Sequence, residues 1–147
     1  MTLPYPDNAK HKAVFALPYE EFDGPYAGKS DCKYLTVGWA QYDPGMVSVK
    51  TLRHSGERWS RQSEELPVHR AVDAVLLLAY CVFKSSEQGV TLPAGTFEGQ
   101  KEPLTLSPKE HQSLVRFLRT LLTDDLLKRR LSKAADLLCE LRKQGVL

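Results

Sequence analysis

Apolar and polar side chains alternate along two short runs in the first half of the chain, residues 34–41 and 46–52. Such alternation, with β-branched and aromatic residues, is typical of strands that bury one face. One face of the first run is apolar: Leu35, Val37 and Trp39. The sequence Asp-Pro-Gly at 43–45 separates the runs and favours a tight turn. The pattern predicts a β-hairpin over residues 34–52 and a further short strand at 13–17. A third strand or a packed helix is needed, because two strands alone are marginally stable.

Helical patterns dominate the second half. Residues 67–83 are apolar around most of a helical circumference, which predicts a buried central helix. Pro67 suits its first helical position, where no backbone N–H is needed. The capping box Ser-Pro-Lys-Glu at 107–110 and the N-cap Thr-Asp-Asp at 123–125 each predict the start of a C-terminal helix. The predicted fold class is α+β: a small antiparallel sheet with the β-hairpin 34–52, packed on the central helix and the two C-terminal helices.

Length and composition indicate a globular chain with one domain over residues 1–147. The chain is 42% hydrophobic and 26% charged, which is ordinary for a folded protein. Two halves of about 70 residues would each be too small to bury a good core. Residues 1–12 contain two prolines and little pattern, so they are a candidate loose arm.

Three features of the sequence predict the cellular compartment of the protein. No basic region followed by an apolar stretch opens the chain, so a signal peptide is not expected. The longest uncharged apolar run, residues 74–83, is half as long as a membrane-spanning helix. The three cysteines form no C-x-x-C pair, and Cys32, in a polar stretch, is expected to be the most exposed. We therefore expect a cytoplasmic protein with no membrane partner, and no motif indicates a metal or a cofactor.

Charge does not identify a partner. The net charge of +2 is small for a nucleic-acid binder. Basic side chains are concentrated in residues 107–147, where we prefer a solvated helix surface to a nucleic-acid interface. Nucleic acid is therefore a possible partner that the sequence does not favour, and no pattern predicts the oligomeric state.

The segment between the hairpin and the central helix concentrates polar and charged side chains. Arginine grips a phosphate or carboxylate with two parallel hydrogen bonds, and tryptophan offers a flat face for a ring. The backbone N–H groups at a helix N-terminus also favour an anion. We therefore expect a binding or interaction protein that holds an anionic ligand (a nucleotide, a phosphate group or an acidic protein surface) at residues 57–70. The candidate ligand-binding residues are Arg58, Trp59, Arg61, Gln62, Glu64, Glu65, His69 and Arg70.

Three other interpretations are open. A small enzyme would use His69 as general acid or base together with a glutamate of the segment: Glu57, Glu64 or Glu65. A protein-interaction scaffold would instead use the apolar stripes of the C-terminal helices. A structural ion network is the third interpretation, because Glu65 is four residues from both Arg61 and His69, the spacing at which side chains pair on a helix.

The same stretch resembles a known family. From Asp23 to about Leu78 the sequence is similar to a small bacterial family of unknown function. The resemblance depends above all on the run GERWSRQSEELP at 56–67, followed by His69, Arg70 and Asp73. Shorter matching pieces are Asp23-Gly24, Tyr26-Ala27, Asp31, Lys33, Gly38 and Ala40-Gln41-Tyr42-Asp43. The resemblance implies no activity, ligand or site residue.

Overall fold

The chain divides into two compact units, Met1–Val75 and Leu76–Leu147. A computed structural model describes residues 3–6, 8–109 and 111–147. The division between the units falls inside a helix, α1 (Val68–Phe83). The single domain expected over the whole chain stays a prediction.

The first unit contains a four-stranded antiparallel sheet whose strands follow one another in the same order in space as in the chain. The strands are β1 (Lys12–Pro18), β2 (Cys32–Trp39), β3 (Val47–Arg53) and β4 (Glu65–Pro67). The predicted hairpin and the predicted strand before it are confirmed. The hairpin turn is closed by a hydrogen bond of 3.1 Å from the Met46 N–H to the Asp43 carbonyl.

The strand register places different cross-strand rows of side chains on the two faces of the sheet. Side chains alternate along a strand, so residues directly opposite each other on neighbouring strands share a face. One cross-strand row is apolar: Phe15, Val37, Val49 and Leu66. The next row lies on the opposite face and contains Thr36, Lys50 and Glu65. Thr36 is 1% exposed and Lys50 5%, whereas Phe15 is 74% exposed. The face that contains Thr36 and Lys50 is therefore the buried one, and buried apolar side chains such as Tyr34 and Leu52 share it.

The backbone at the beginning of β1 lies very close to Gly38 of β2. A Cβ atom at Gly38 would lie 2.2 Å from the carbonyl oxygen of Lys12, so only glycine fits there. The register of β1 also shifts between Ala13 and Phe15, which is the mark of a β-bulge. His11, immediately before this contact, is only 1% exposed.

The described residues before β1 (3–6 and 8–11), which we call the N-terminal arm, are tied to the sheet. The Tyr34 hydroxyl donates a hydrogen bond of 2.6 Å to the carbonyl oxygen of Leu3. The ring of Tyr5 meets the ring of Tyr34 edge to face, with 5.5 Å between the centroids. The stretch that the sequence favours as a loose arm thus includes residues with specific contacts to β2.

Helix α1 begins directly after β4. Pro67 does not open the helix, as the sequence predicts, because it is paired with Ser48 as the last residue of β4. The helix begins at Val68, and Val82 is the only buried residue among its sixteen described residues. The α+β fold class is confirmed, whereas the packing of a central helix on the sheet stays a prediction.

The second unit continues with a two-stranded antiparallel sheet and two helices: β5 (Val90–Leu92), β6 (Leu104–Leu106), α2 (His111–Leu122) and α3 (Asp125–Lys143). The predicted N-cap of α3 is confirmed, because the Asp124 carboxylate accepts a hydrogen bond of 2.9 Å from the Leu127 N–H. Helix α2 begins at His111, and Pro108 and Lys109, which the sequence places in its first turn, lie between β6 and the helix. Glu110 of the predicted capping box lies outside the described residues. None of the described helices combines the length and apolar character needed to cross a membrane.

Candidate functional site

A pocket of about 640 Å³, which we call the arm pocket, opens beside the N-terminal arm in the first unit. Its lining comes from the arm, the hairpin, β3 and the loop after β3: residues 6, 8–11, 41, 50, 52 and 59–61. Pockets of about 300–1,000 Å³ are typical of small-molecule sites. The arm pocket is therefore the right size for a small organic ligand.

Five buried polar side chains form a cluster at this end of the sheet. We call it the polar cluster: His11, Thr36, Ser48, Lys50 and Glu65. Ser48 is 0% exposed and the Glu65 side chain is 5% exposed. Buried polar groups are tolerated when they are hydrogen-bonded, and every member of the cluster bonds to another member. Two members, His11 and Lys50, also line the arm pocket.

The Glu65 carboxylate is the centre of the polar cluster. Its Oε1 accepts hydrogen bonds from the Ser48 hydroxyl at 2.7 Å and the Gln41 N–H at 3.0 Å. The same oxygen lies 3.1 Å from His11 Nδ1, and Oε2 accepts a hydrogen bond of 3.5 Å from Lys50 Nζ. Burial is the largest single influence and raises the pKa of Glu65. The hydrogen bonds and the Lys50 charge together outweigh burial, so the pKa lies below its ordinary value.

Both ring nitrogens of His11 are engaged within the protein. Nε2 lies 3.1 Å from the Thr36 hydroxyl oxygen, which donates its own hydrogen to the Lys50 carbonyl at 2.9 Å. Nδ1 lies 3.1 Å from Glu65 Oε1 and 3.2 Å from Ser48 Oγ. The imidazole thus fastens the arm to the sheet and has no unoccupied nitrogen for a bound molecule.

The charged groups among the described lining residues of the arm pocket are positive. The Lys50 ammonium is balanced by Glu65 and also donates to the Ser63 carbonyl at 3.3 Å. Lys10 and Arg61 come from separate segments, are exposed, and form no ion pair within the described part of the chain. The described lining residues include no carboxylate. The described lining residues therefore carry a net positive charge.

The indole of Trp59 is held in place at the wall of the arm pocket. The loop after β3 folds back on the strand, and the Ser60 N–H donates a hydrogen bond of 2.7 Å to the Arg53 carbonyl. Trp59 then meets the ring of His54 edge to face, with centroids 5.1 Å apart, and lies 6.2 Å from the ring of Tyr34. The half-buried indole also lines the pocket, so a preorganised aromatic side chain forms part of its wall.

The eight residues that the sequence predicts as ligand-binding do not all lie at the arm pocket. Trp59 and Arg61 line the arm pocket, and Glu65 belongs to the polar cluster. The other five are exposed and lie outside the pocket lining: Arg58, Gln62, Glu64, His69 and Arg70. The last two of these lie in the first turn of α1.

Glu64 belongs to an exposed ion cluster with Arg53 and Asp31. The Glu64 carboxylate accepts hydrogen bonds from the Thr51 hydroxyl and, at 3.3 Å, from Arg53 Nη1. Arg53 Nε also donates to Asp31 at 2.9 Å. The hydrogen bond from Thr51 lowers the pKa of Glu64, and the one from Arg53 lowers the pKa of Asp31. Glu64 is therefore paired with groups outside the segment, not with another residue of it.

The helical pairing predicted for Glu65 with Arg61 or His69 is wrong. Glu65 lies in β4 and bonds across the sheet, not along a helix.

Sequence reasoning also missed most of the site: Lys10, His11, Thr36, Gln41, Ser48 and Lys50. Strand alternation does place Thr36, Ser48 and Lys50 on one face. It does not reveal that this face is buried.

The cysteines differ from the sequence expectation. Cys32 is not the most exposed: it is buried, at 8% exposure, and its thiol lies 3.6 Å from the Tyr34 carbonyl. Burial raises the pKa of the Cys32 thiol. Cys139 is exposed and Cys81 is partly buried, and all three are free thiols. Cys32 points to the buried face because it shares the alternation of Tyr34 and Thr36 along β2.

Fold and site define a small α+β protein whose first unit holds a basic pocket beside a buried polar cluster. The chain belongs to a family of unknown function, DUF6530, whose model matches residues 1–88. This match includes every residue of the arm pocket and of the polar cluster, and it confirms the expected family resemblance. No curated protein and no solved structure matches the chain.

Proposed function

We propose that the first unit binds an anionic small molecule in the arm pocket. The observation that supports this function best is a concave site of about 640 Å³ in which the unpaired charged groups among the described lining residues, Lys10 and Arg61, are both positive. A guanidinium can donate two parallel hydrogen bonds to a phosphate or carboxylate. A small molecule fits a concave site of this size better than an acidic protein surface does.

Binding is favoured over acid–base catalysis. His69, the histidine that the sequence favours for that role, is exposed on α1 and lies outside the pocket lining. His11 lines the pocket, but protein groups occupy both of its ring nitrogens. A general base needs a lone pair within hydrogen-bond reach of its substrate. Association through the C-terminal helices stays a separate prediction.

The experiment is a binding screen with the full-length chain at about 0.15 M salt. Thermal-shift measurements would test nucleoside phosphates, sugar phosphates and di- and tricarboxylates, and calorimetry would then give the affinity of each ligand that raises the melting midpoint. Arg61→Ala and Lys10→Ala are each expected to weaken the best ligand about tenfold or more, because a hydrogen bond to a charged group contributes about 1.5–3 kcal/mol.

Arg58→Ala is the matched control. Arg58 lies three residues from Arg61, is also exposed, and lies outside the pocket lining. Its replacement should leave the affinity within about twofold. The proposal is wrong if no anion in the screen binds, or if Arg61→Ala and Lys10→Ala both bind as tightly as the Arg58→Ala control.

A further inference from the structure

The arm pocket is much larger than a bare anion needs. A volume of about 640 Å³ is in the range that holds whole organic ligands, whereas a single phosphate ion would contact only a small part of the lining. The ligand should therefore contain a second group beside its anionic part.

The charge of the pocket limits the charge of the anion. Lys50 is balanced by Glu65, so two lining side chains, Lys10 and Arg61, remain to neutralise a ligand. A phosphate monoester has a charge of about −1.5 to −2 at neutral pH, which two such cations balance. A triphosphate has more charge and usually binds with Mg²⁺ held by carboxylates, and the described lining residues supply none.

The wall formed by Trp59 indicates the nature of the second group. The ring contacts with His54 and Tyr34 position the indole before any ligand arrives, so binding does not have to order it. Stacking on a tryptophan suits any nucleobase, because every base has a π-face. The aromatic wall and the two cations line the same pocket.

We infer that the ligand of the arm pocket is a nucleoside monophosphate, with its phosphate on Lys10 and Arg61 and its base against Trp59. This inference rests on the proposed function and makes it specific. On this inference the phosphate and the base contribute separately to the binding free energy, because different side chains contact them. It also expects little preference among the four common bases, since the wall offers a stacking surface.

The test is a ligand series on the wild-type chain, measured by calorimetry. Adenosine 5′-monophosphate (AMP) should bind at least tenfold tighter than adenosine, ribose 5-phosphate or inorganic phosphate, and ATP with Mg²⁺ should bind no tighter than AMP. A Trp39→Phe background leaves Trp59 as the only tryptophan, so AMP should change its fluorescence. In Trp59→Leu, AMP should bind about tenfold more weakly, with ribose 5-phosphate unchanged.

The outcomes separate the inference from the proposed function. If ribose 5-phosphate or a carboxylate binds as tightly as AMP, and Arg61→Ala weakens that binding, the proposed anion site is supported and the nucleotide inference is wrong. If no anion binds, both are wrong. Should Trp59→Leu fail to fold, the wild-type ligand series still decides, because it requires no variant.

Discussion

Glu65 and His11 are 54 residues apart in the chain, yet Glu65 Oε1 lies 3.1 Å from His11 Nδ1. The same carboxylate accepts a hydrogen bond from the Gln41 N–H and another from Lys50. One side chain on a three-residue strand thus links the N-terminal arm, the hairpin and β3. The arm pocket lies among these segments, so its shape depends on a residue that is not in its lining.

Glu65→Ala should destabilise the first unit strongly. The substitution leaves the buried Lys50 ammonium without its counter-charge and removes an acceptor from Ser48 and His11. Breaking a buried ion pair in this way typically costs about 3–5 kcal/mol. The free energy of unfolding in urea measures the loss. Glu64→Ala is the matched control, because the Glu64 side chain is 63% exposed. Its replacement should lower the free energy of unfolding by less than about 1 kcal/mol. Equal effects of the two substitutions would contradict the central role of Glu65.

Stability should fall in acid, partly because of Glu65. Its pKa in the folded protein lies below the ordinary value of 4.5, so the unfolded chain binds more protons around that pH. The stabilisation is fully present above pH 4.5 and is lost as the pH falls through the lowered folded value. Urea unfolding between pH 7 and pH 3 should show this acid loss, and Glu65→Gln should flatten it. Asp31→Asn, at an exposed carboxyl, should flatten it less, and the reverse order would contradict the assignment.

Thr36→Val should destabilise the protein although it preserves the shape of the side chain. The substitution leaves His11 Nε2 without its partner and removes the hydrogen bond to the Lys50 carbonyl. An unsatisfied buried polar group costs about 1–3 kcal/mol. Thr36→Ser retains the hydroxyl and should lose less. Chemical denaturation of the two variants side by side provides the measurement, and a Thr36→Ser variant as unstable as Thr36→Val would show that packing, not hydrogen bonding, matters at this position.

Gly38→Ala should cost about 2 kcal/mol of unfolding free energy, because the new Cβ would overlap the Lys12 carbonyl and force β1 away from β2. The movement should also disturb the adjacent His11 and weaken ligand binding in the arm pocket. Gly45→Ala is a suitable control. Its Cβ would meet only the Asp43 side chain, at 3.4 Å. Thermal and urea unfolding of both variants would decide, and a neutral Gly38→Ala would contradict the close approach.

The three thiols should react in a fixed order with an alkylating reagent. Cys139 is exposed and should react first, and Cys81, which is partly buried, should follow. Cys32 should react last in the native protein, because it is buried and its raised pKa reduces the thiolate fraction. Mass spectrometry of timed samples gives the order, and urea should abolish it. Early labelling of Cys32 would show that β2 is not covered as described.

The sequence predicts the hairpin well because its alternation and its turn are local signals. It predicts the first residue of α1 less well, since Pro67 is suitable both for a helix start and for the end of an edge strand, and pairing with Ser48 decides between them. Trp59 and Arg61 could be chosen from the sequence because their side-chain chemistry suggests a ligand.

The rest of the site depends on tertiary contacts that no local pattern contains. Thr36, Ser48 and Lys50 look like the solvent face of a hairpin, but contacts with His11 of the arm and with Glu65 of β4 help to make them interior. His11 lies in a stretch without periodicity, so its partner Glu65 could not be inferred from spacing. The four-residue spacing around Glu65 suggested helical pairs because nothing local shows that this residue belongs to a strand.

The long separation between His11 and Glu65 has a consequence for biosynthesis. The arm leaves the ribosome first, and its carboxylate partner is added 54 residues later. Until β4 has been translated, the imidazole lacks its acceptor Glu65, although the loop that contains Trp59 can already pack on His54 and Tyr34. A nascent chain that stops before residue 65 can therefore contain the complete hairpin and every described residue of the pocket lining, and still lack the carboxylate that links the arm to β4.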